Sequence, residues 1–332
     1  VHVLVAPDKL RGTLSARDAA RALAEGLDAA GAQTILLPLS DGGEGFLDAL
    51  GGANRTSEVP NAFGVPAVAP WRLHVGRAVI ESAVVIGYGG CAAPGPGQAE
   101  EATTYGLGAL IAEALRAGAR DVSVGLGGSV TTDGGAGALE ALADLVPFAA
   151  GCRVVLATDV TTGYLDAARV FGPQKGADPD TVARLERRLA AQAELLRERF
   201  GVDVGLVPGA GAAGGLAGGL WAAGARIEPG FEYVARHVGL AGRVTAADLV
   251  VTAEGRLDRT SFEGKVVGGV LAEAERRHVP AVVVAGQADR GALDLSPAPV
   301  VELSGLFGTE ASIHSTADCL RRVAAQILAA GS

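Results

Sequence analysis

The 332-residue sequence has no methionine, position 1 included, and only three cysteines, five histidines and two tryptophans. Each shortage excludes something. Cys91, Cys152 and Cys319 are odd in number and far apart, so neither a disulfide framework nor a zinc site is expected. No histidine stands in a metal-ligand spacing. Positive charge is scarce too, with 28 Lys and Arg against 37 Asp and Glu and a net charge of −9. The absence of a basic run or a basic-aromatic patch argues against a nucleic-acid binder. No apolar stretch approaches the ~18 residues of a membrane span, and VHVLVAP lacks the build of a signal peptide. A cytoplasmic protein without membrane contact is expected. The missing methionine leaves two readings open. One is an alanine-rich, GC-biased composition with a processed first residue. The other is loss of modified methionines from the written sequence, which would shorten some spacings by a residue.

Glycine is abundant, at 49 residues, twice the usual share of about 7%. The glycines gather at the ends of apolar runs, where they permit positive φ or close approach to the main chain. Hydrophobic residues make up 49% of the chain, and its length suits two domains.

Strands are expected in VHVLVAP (1–7), TILLPL (34–39), RAVIESAV (77–84), DVSVGLG (121–127), VVLATDV (154–160), DLVVTAEG (248–255), PAVVVAG (280–286) and PVVELSG (299–305). Helical patterns alternate with them. SARDAARALAEGLDAAG has Ser15 as N-cap and Gly31 as its stop. DPDTVARLERRLAAQAELLRERF has Asp178 as cap, Pro179 in its first turn, and Val182, Leu185, Leu189 and Leu196 on one face. The alternation predicts an α/β fold with largely parallel sheets. The Pro- and Gly-rich stretch 60–98 reads as entry into a second domain, and the C-terminal βαβα run as able to rejoin the N-terminal βαβ. The expected organisation is a discontinuous first domain, 1–60 plus 245–332, with the second at 61–244.

Polar, glycine-rich pieces recur at the carboxyl ends of strands, where open α/β sheets place ligands. In GLGGSVTTDGG, residues Gly127, Gly128, Ser129 and Thr131 sit at a strand-to-helix turn suited to an anion. Asp133 could hold a metal ion or a substrate hydroxyl there, or simply cap the helix. LSDGGEG places Asp41 and Glu44 around two glycines, a spacing fit for Mg²⁺ or for a base toward a hydroxyl. APDKLRG offers Asp8, Lys9 and Arg11, which suit a hydroxy acid or form an exposed turn. FGPQKGA presents Lys175, able to neutralise phosphate charge. TAEGRLDRTSFEGK offers Glu254, Arg256, Asp258 and Lys265, as ligand groups or as a surface ion-pair network. PGAGAAGG contains G-x-G-x-x-G through Gly209, Gly211 and Gly214, but no convincing strand precedes it and no acidic residue follows at the right distance. A phosphate or nucleotide contact is expected there rather than a dehydrogenase.

Taken in order, APDKLRGTLSA, LSDGGEG, ATTYGLG, GLGGSVTTDGGAG, TDV with VFGPQKGA, PGAGAAGGL and ADLVVTAEGRLD resemble the bacterial glycerate kinase family, over residues 3 to about 290. Departures are Thr132 in place of asparagine, TAEG for TGEG, APDK for a serine-phenylalanine-lysine opening, and a shortened stretch after Asp159. The resemblance implies two α/β domains, one flavodoxin-like with a parallel sheet and one of mixed topology, with the active site in the cleft between them. It also implies ATP, Mg²⁺ and D-glycerate, with 2-phosphoglycerate favoured over 3-phosphoglycerate or another short hydroxy acid as acceptor. In that reading Asp41 or Asp8 handles the substrate hydroxyl, assisted by Asp133. Lys175, Arg256, Lys9 and Arg11 meet negative charge, and Gly127, Gly128, Ser129 and Thr131 meet phosphate or carboxylate. Gly209, Gly211 and Gly214 contact nucleotide, and Asp159 and Glu254 are the metal candidates. A homodimer stays open, and the remoter readings are an NAD-dependent oxidoreductase and a non-catalytic sugar-acid-binding module.

Overall fold

The computed structural model describes residues 1–88 and 95–329; Cys91 lies outside them. Its strands are β1 (His2–Val5), β2 (Gln33–Leu36), β3 (Arg55–Pro60), β4 (Pro66–His74), β5 (Arg77–Glu81), β6 (Asp121–Gly125), β7 (Arg153–Ala157), β8 (Arg226–Glu228), β9 (Leu249–Leu257), β10 (Ala281–Ala288) and β11 (Val300–Glu302). They form two sheets in two compact units.

The first unit comprises Val1–Asp41, Asp48–Leu50 and the chain from Phe231 onward. Its five strands lie in the order β11-β10-β9-β1-β2, all parallel. Counted within the unit this is 2-1-3-4-5, the flavodoxin-like order. A parallel sheet must be covered on both faces, and β10 carries the alternation that does this. Val284 packs with Val3, Val5, Leu23 and Leu320 on one side, while Val283 and Ala285 pack with Val267 and Leu271 on the other. The helix Ala16–Ala29 starts where expected, with the Ser15 hydroxyl accepting from Asp18 N.

The second unit comprises Gly42–Leu47 and Gly51–Gly230. Its sheet runs β3-β4-β5-β6-β7-β8, antiparallel through β5 and parallel from β5 to β8. The mixed topology is thus present. The β3–β4 hairpin is absent from the sequence reading because Pro60, Pro66 and Pro70 break its pattern; β3 is an edge strand, and Pro60 and Pro66 flank the turn. Composition shifts at residue 60, inside this hairpin, whereas the changes of unit fall at 41/42, 47/48, 50/51 and 230/231. RAVIESAV is strand only to Glu81, after which Ala83–Ile86 turns helical. Helix Pro179–Phe200 begins at Asp178, whose Oδ1 accepts from Thr181 N, and it buries Leu185, Leu189 and Leu196 with Val182 half-buried. Among the described residues no helix is long and apolar enough to cross a membrane, and Cys152 and Cys319 are free thiols.

Candidate active site

In the 2-1-3-4-5 order the strand sequence reverses between β1 and β9, and ligands of open α/β sheets bind at the carboxyl ends of strands beside such a reversal. Residues 6–8 continue β1 along β9, with Ala6 N donating to Val251 O and Asp8 N to Ala253 O, both at 2.8 Å. Asp8 therefore ends one strand beside Glu254 on the next.

Asp8 is buried, and its Oδ1 accepts from Lys9 N at 2.7 Å. Burial pushes its carboxyl up to about 6; Lys9 and Lys265 pull it down, and Asp41 pushes it further up. Glu254 is pushed up to about 7, chiefly by burial and also by the charge of Asp8, against a hydrogen bond from Ser261. Its Oε1 is buried without a hydrogen-bond partner. Lys9 Nζ lies 3.9 Å from Asp41 Oδ1, both groups part-exposed. Lys265 Nζ donates to Thr260 Oγ1 at 2.7 Å, and the Asp258 carboxylate caps the turn 259–262. Three carboxylates and two ammonium groups thus gather at the reversal point. Arg256 instead pairs with Asp289 at 2.9 Å on the surface, and Arg11 is exposed.

The second unit gives the glycine-rich turns a different meaning. A Cβ on Gly127 would lie 2.3 Å from Gly43 Cα. One on Gly211 would lie 2.3 Å from Gly163 O, and one on Gly214 2.0 Å from Thr131 O. Gly209 meets Val160 O in the same way, at 2.9 Å. The space left by these side chains is filled by the protein's own backbone. A 3₁₀ turn, Val204–Leu206, precedes G-x-G-x-x-G where a dinucleotide fingerprint needs a strand. Gly214 also has φ +67°. Gly214→Ala is expected to cost more than about 2 kcal/mol of stability from the left-handed backbone and the overlap together. Urea unfolding tests this; unchanged stability with a raised KM for ATP would return the residue to a nucleotide-contact role.

Asp133 and Lys175, expected to be catalytic, lie in the interior of this unit at 1% and 3% exposure. Asp133 Oδ2 accepts from Thr104 N, Thr104 Oγ1, Thr103 Oγ1 and Gly137 N, and Oδ1 accepts from Gly135 N. A carboxylate has about four lone-pair sites, and five donors of the protein itself already reach this one. Lys175 Nζ donates to Thr131 O at 2.6 Å. Burial pushes it down to about 7, and Asp133 partly restores it. Tyr164, fully buried, donates its hydroxyl to Gly134 O, and burial raises its pKa well above the ordinary phenol value. Ser129 and Thr131 share a hydroxyl–hydroxyl bond of 2.8 Å, with Ser129 Oγ also accepting from Thr131 N. Gly128 has φ +68° beside Ala83.

Asp159 Oδ1 accepts from Gly230 N at 2.7 Å. Asp159 belongs to the second unit and Glu254 to the first. Among the described residues no group of three or more His, Cys, Asp or Glu could hold a metal ion.

Thr103, Thr104 and Tyr164 escaped the sequence reading as partners of the 131–137 turn, because they are distant in sequence and of ordinary type. Glu81, whose Oε2 accepts from Gly45 N and Leu47 N, escaped as well, although a carboxylate closing the apolar run AVIE was a signal.

The profile of the glycerate kinase family matches residues 3–146 and 142–331. The chain belongs to the glycerate kinase family. It is accordingly an enzyme. Glycerate 2-kinase of Escherichia coli is 35% identical over 328 residues, covering 86% of this chain and 85% of that protein. Glycerate kinase of Halalkalibacterium halodurans is 33% identical, over 87% and 86%. The crystal structure of putative glycerate kinase 2 from Salmonella typhimurium superposes with a TM-score of 0.81 at 31% identity, covering 100% of this chain and 99% of that one. Within the family, the flavodoxin-like unit carries this chain's titratable cluster, and the mixed unit carries its buried Asp133–Lys175 network.

Proposed function

We propose that this cytoplasmic enzyme transfers the γ-phosphoryl group of ATP, accompanied by Mg²⁺, to a hydroxyl of D-glycerate, giving 2-phosphoglycerate and ADP. The observation that carries this reading is the cluster of Asp8, Asp41 and Glu254 with Lys9 and Lys265 at the reversal point of the parallel sheet. The C2 position is favoured by the 35% identity to a relative named as a glycerate 2-kinase.

Phosphoryl transfer asks a protein mainly for positioning and charge stabilisation. Asp8, with a pKa near 6, is ionised at neutral pH yet basic enough to take the proton of the attacking hydroxyl. Lys9, held by Asp41, and Lys265 offset charge on the substrate carboxylate and the moving phosphoryl group. Glu254 fits a magnesium ion through its unbonded Oε1. Magnesium keeps several waters and binds largely to nucleotide phosphates, so it asks for few protein ligands. When bound, Mg²⁺ supplies charge neutralisation on the β- and γ-phosphate oxygens. A coupled assay of ADP release tests the reading. ADP should form only with D-glycerate and Mg²⁺ present together, and chelation with EDTA should stop it. ADP release at the same rate without D-glycerate would remove the acceptor.

A further inference from the structure

The turn that carries Lys265 is wired by a chain of three side chains, all within the first unit. Asp258 follows directly on β9, and its Oδ1 accepts from Thr260 N at 2.7 Å and from Thr260 Oγ1 at 2.6 Å. Lys265 Nζ in turn donates to Thr260 Oγ1 at 2.7 Å. An ammonium only donates and an ionised carboxylate only accepts. The Thr260 hydroxyl therefore accepts from Lys265 and points its own hydrogen at Asp258. The Asp258 carboxyl is held below the usual carboxylate range, first by the Thr260 hydroxyl and also by the Lys265 charge, so it is ionised at neutral pH. The turn is tied to the titratable cluster at a second point. Ser261, 1% exposed, accepts from Asp258 N at 3.1 Å, which leaves its hydroxyl hydrogen to donate to Glu254. The charge of Lys265 acts on both Asp8 and Glu254. A lysine is a point charge on a flexible four-carbon stem, and its head has no fixed direction unless something holds it. Thr260 is exposed, so its hydroxyl serves this chain rather than the core.

We propose that Thr260 is a positioning residue for the reaction: anchored on Asp258, its hydroxyl fixes the Lys265 ammonium where negative charge builds up on the moving phosphoryl group. The inference rests on the proposed function, in which Lys265 offsets that charge. Thr260 itself touches no substrate. One of the three ammonium donors is spent on Thr260, and that bond orients the other two. Without it the ammonium moves among its rotamers, and a displacement of about 1 Å costs on the order of 10²-fold in rate.

The test compares kcat, KM and melting temperature for wild type, Thr260→Val, Thr260→Ser, Lys265→Met and the double variant Thr260→Val/Lys265→Met. Thr260→Val keeps the shape of the side chain and removes the hydroxyl. It should lose about 10- to 10²-fold in kcat. KM for ATP and for D-glycerate should stay unchanged, as for an interaction made only in the transition state. Its melting temperature should match the wild type, since the residue is exposed. Thr260→Ser keeps the hydroxyl and should restore most of kcat. The double variant should be no slower than Lys265→Met alone, because one residue acts through the other. If the valine variant does not fold, Thr260→Ala makes the same comparison. An active wild type whose Thr260→Val variant keeps kcat, whose serine variant is as slow as the valine one, or whose two losses multiply, overturns the positioning role and leaves the function standing. A wild type that leaves ATP intact in the presence of D-glycerate overturns both.

Discussion

Replacing Asp133 by alanine is expected to lower the melting temperature by about 10 °C, whether or not substrate is present. The carboxylate is 1% exposed and collects five hydrogen bonds, three of them from backbone amides of Thr104, Gly135 and Gly137. Its charge also faces the buried Lys175 ammonium. Removal leaves those amides unsatisfied and the lysine uncompensated. Breaking a buried charge network of this kind costs about 3–5 kcal/mol, and each kcal/mol is worth about 2–4 °C in a unit of this size. Asp133→Asn keeps one oxygen for the Thr104 and Gly137 donors and should lose roughly half as much. Thermal unfolding decides the matter. A variant that melts like the wild type but has lost its turnover would move Asp133 out of the structural network and into the reaction.

Asp8→Asn should do the opposite, slowing turnover while making the folded protein more stable at pH 8. As general base Asp8 contributes about 10²–10⁴-fold, and an amide cannot take the proton. The stability effect follows from linkage. Asp8 moves from an ordinary value of 3.8 to about 6 on folding, so between these values the folded state holds more protons than the unfolded. Stability therefore falls as pH rises through that window, and the whole penalty, on the order of 3 kcal/mol, is present above it. The amide carries no charge to desolvate. The gain should be seen at pH 8 and vanish near pH 4. Glu254, raised from 4.5 to about 7 by burial, has the same sign over a window reaching neutrality. Urea unfolding of wild type and Asp8→Asn at the two pH values measures it, and a variant less stable at pH 8 would mean that Asp8 holds the fold together. A polar cluster that weakens its own unit is expected where function, not stability, fixed the residues.

The carboxylates of this cluster are legible in sequence because each stands at or near the end of an apolar run: Asp8 after VHVLVAP, Asp41 after TILLPL, Glu254 within DLVVTAEG. Parallel strands buried on both faces leave such runs, and ligands gather where they stop. Depth was not legible. Asp133 and Lys175 look as polar in sequence as Asp8, yet their partners arrive from Thr103, Thr104 and Thr131, brought in by the fold. The glycines are ambiguous in sequence for a related reason. A sequence records a missing side chain without recording what takes its place, and at Gly127, Gly211 and Gly214 the occupant is another stretch of the same chain. The β3–β4 hairpin stayed hidden behind its prolines, and Glu81 behind its place at the end of a regular strand.

The central claim is that the acceptor is D-glycerate and the product 2-phosphoglycerate. ³¹P NMR of the purified enzyme with ATP, Mg²⁺ and D-glycerate reads both at once. A 2-phosphoglycerate resonance should grow in step with ADP. A 3-phosphoglycerate resonance would contradict the position of transfer, and ATP left intact with D-glycerate present would contradict the reaction itself.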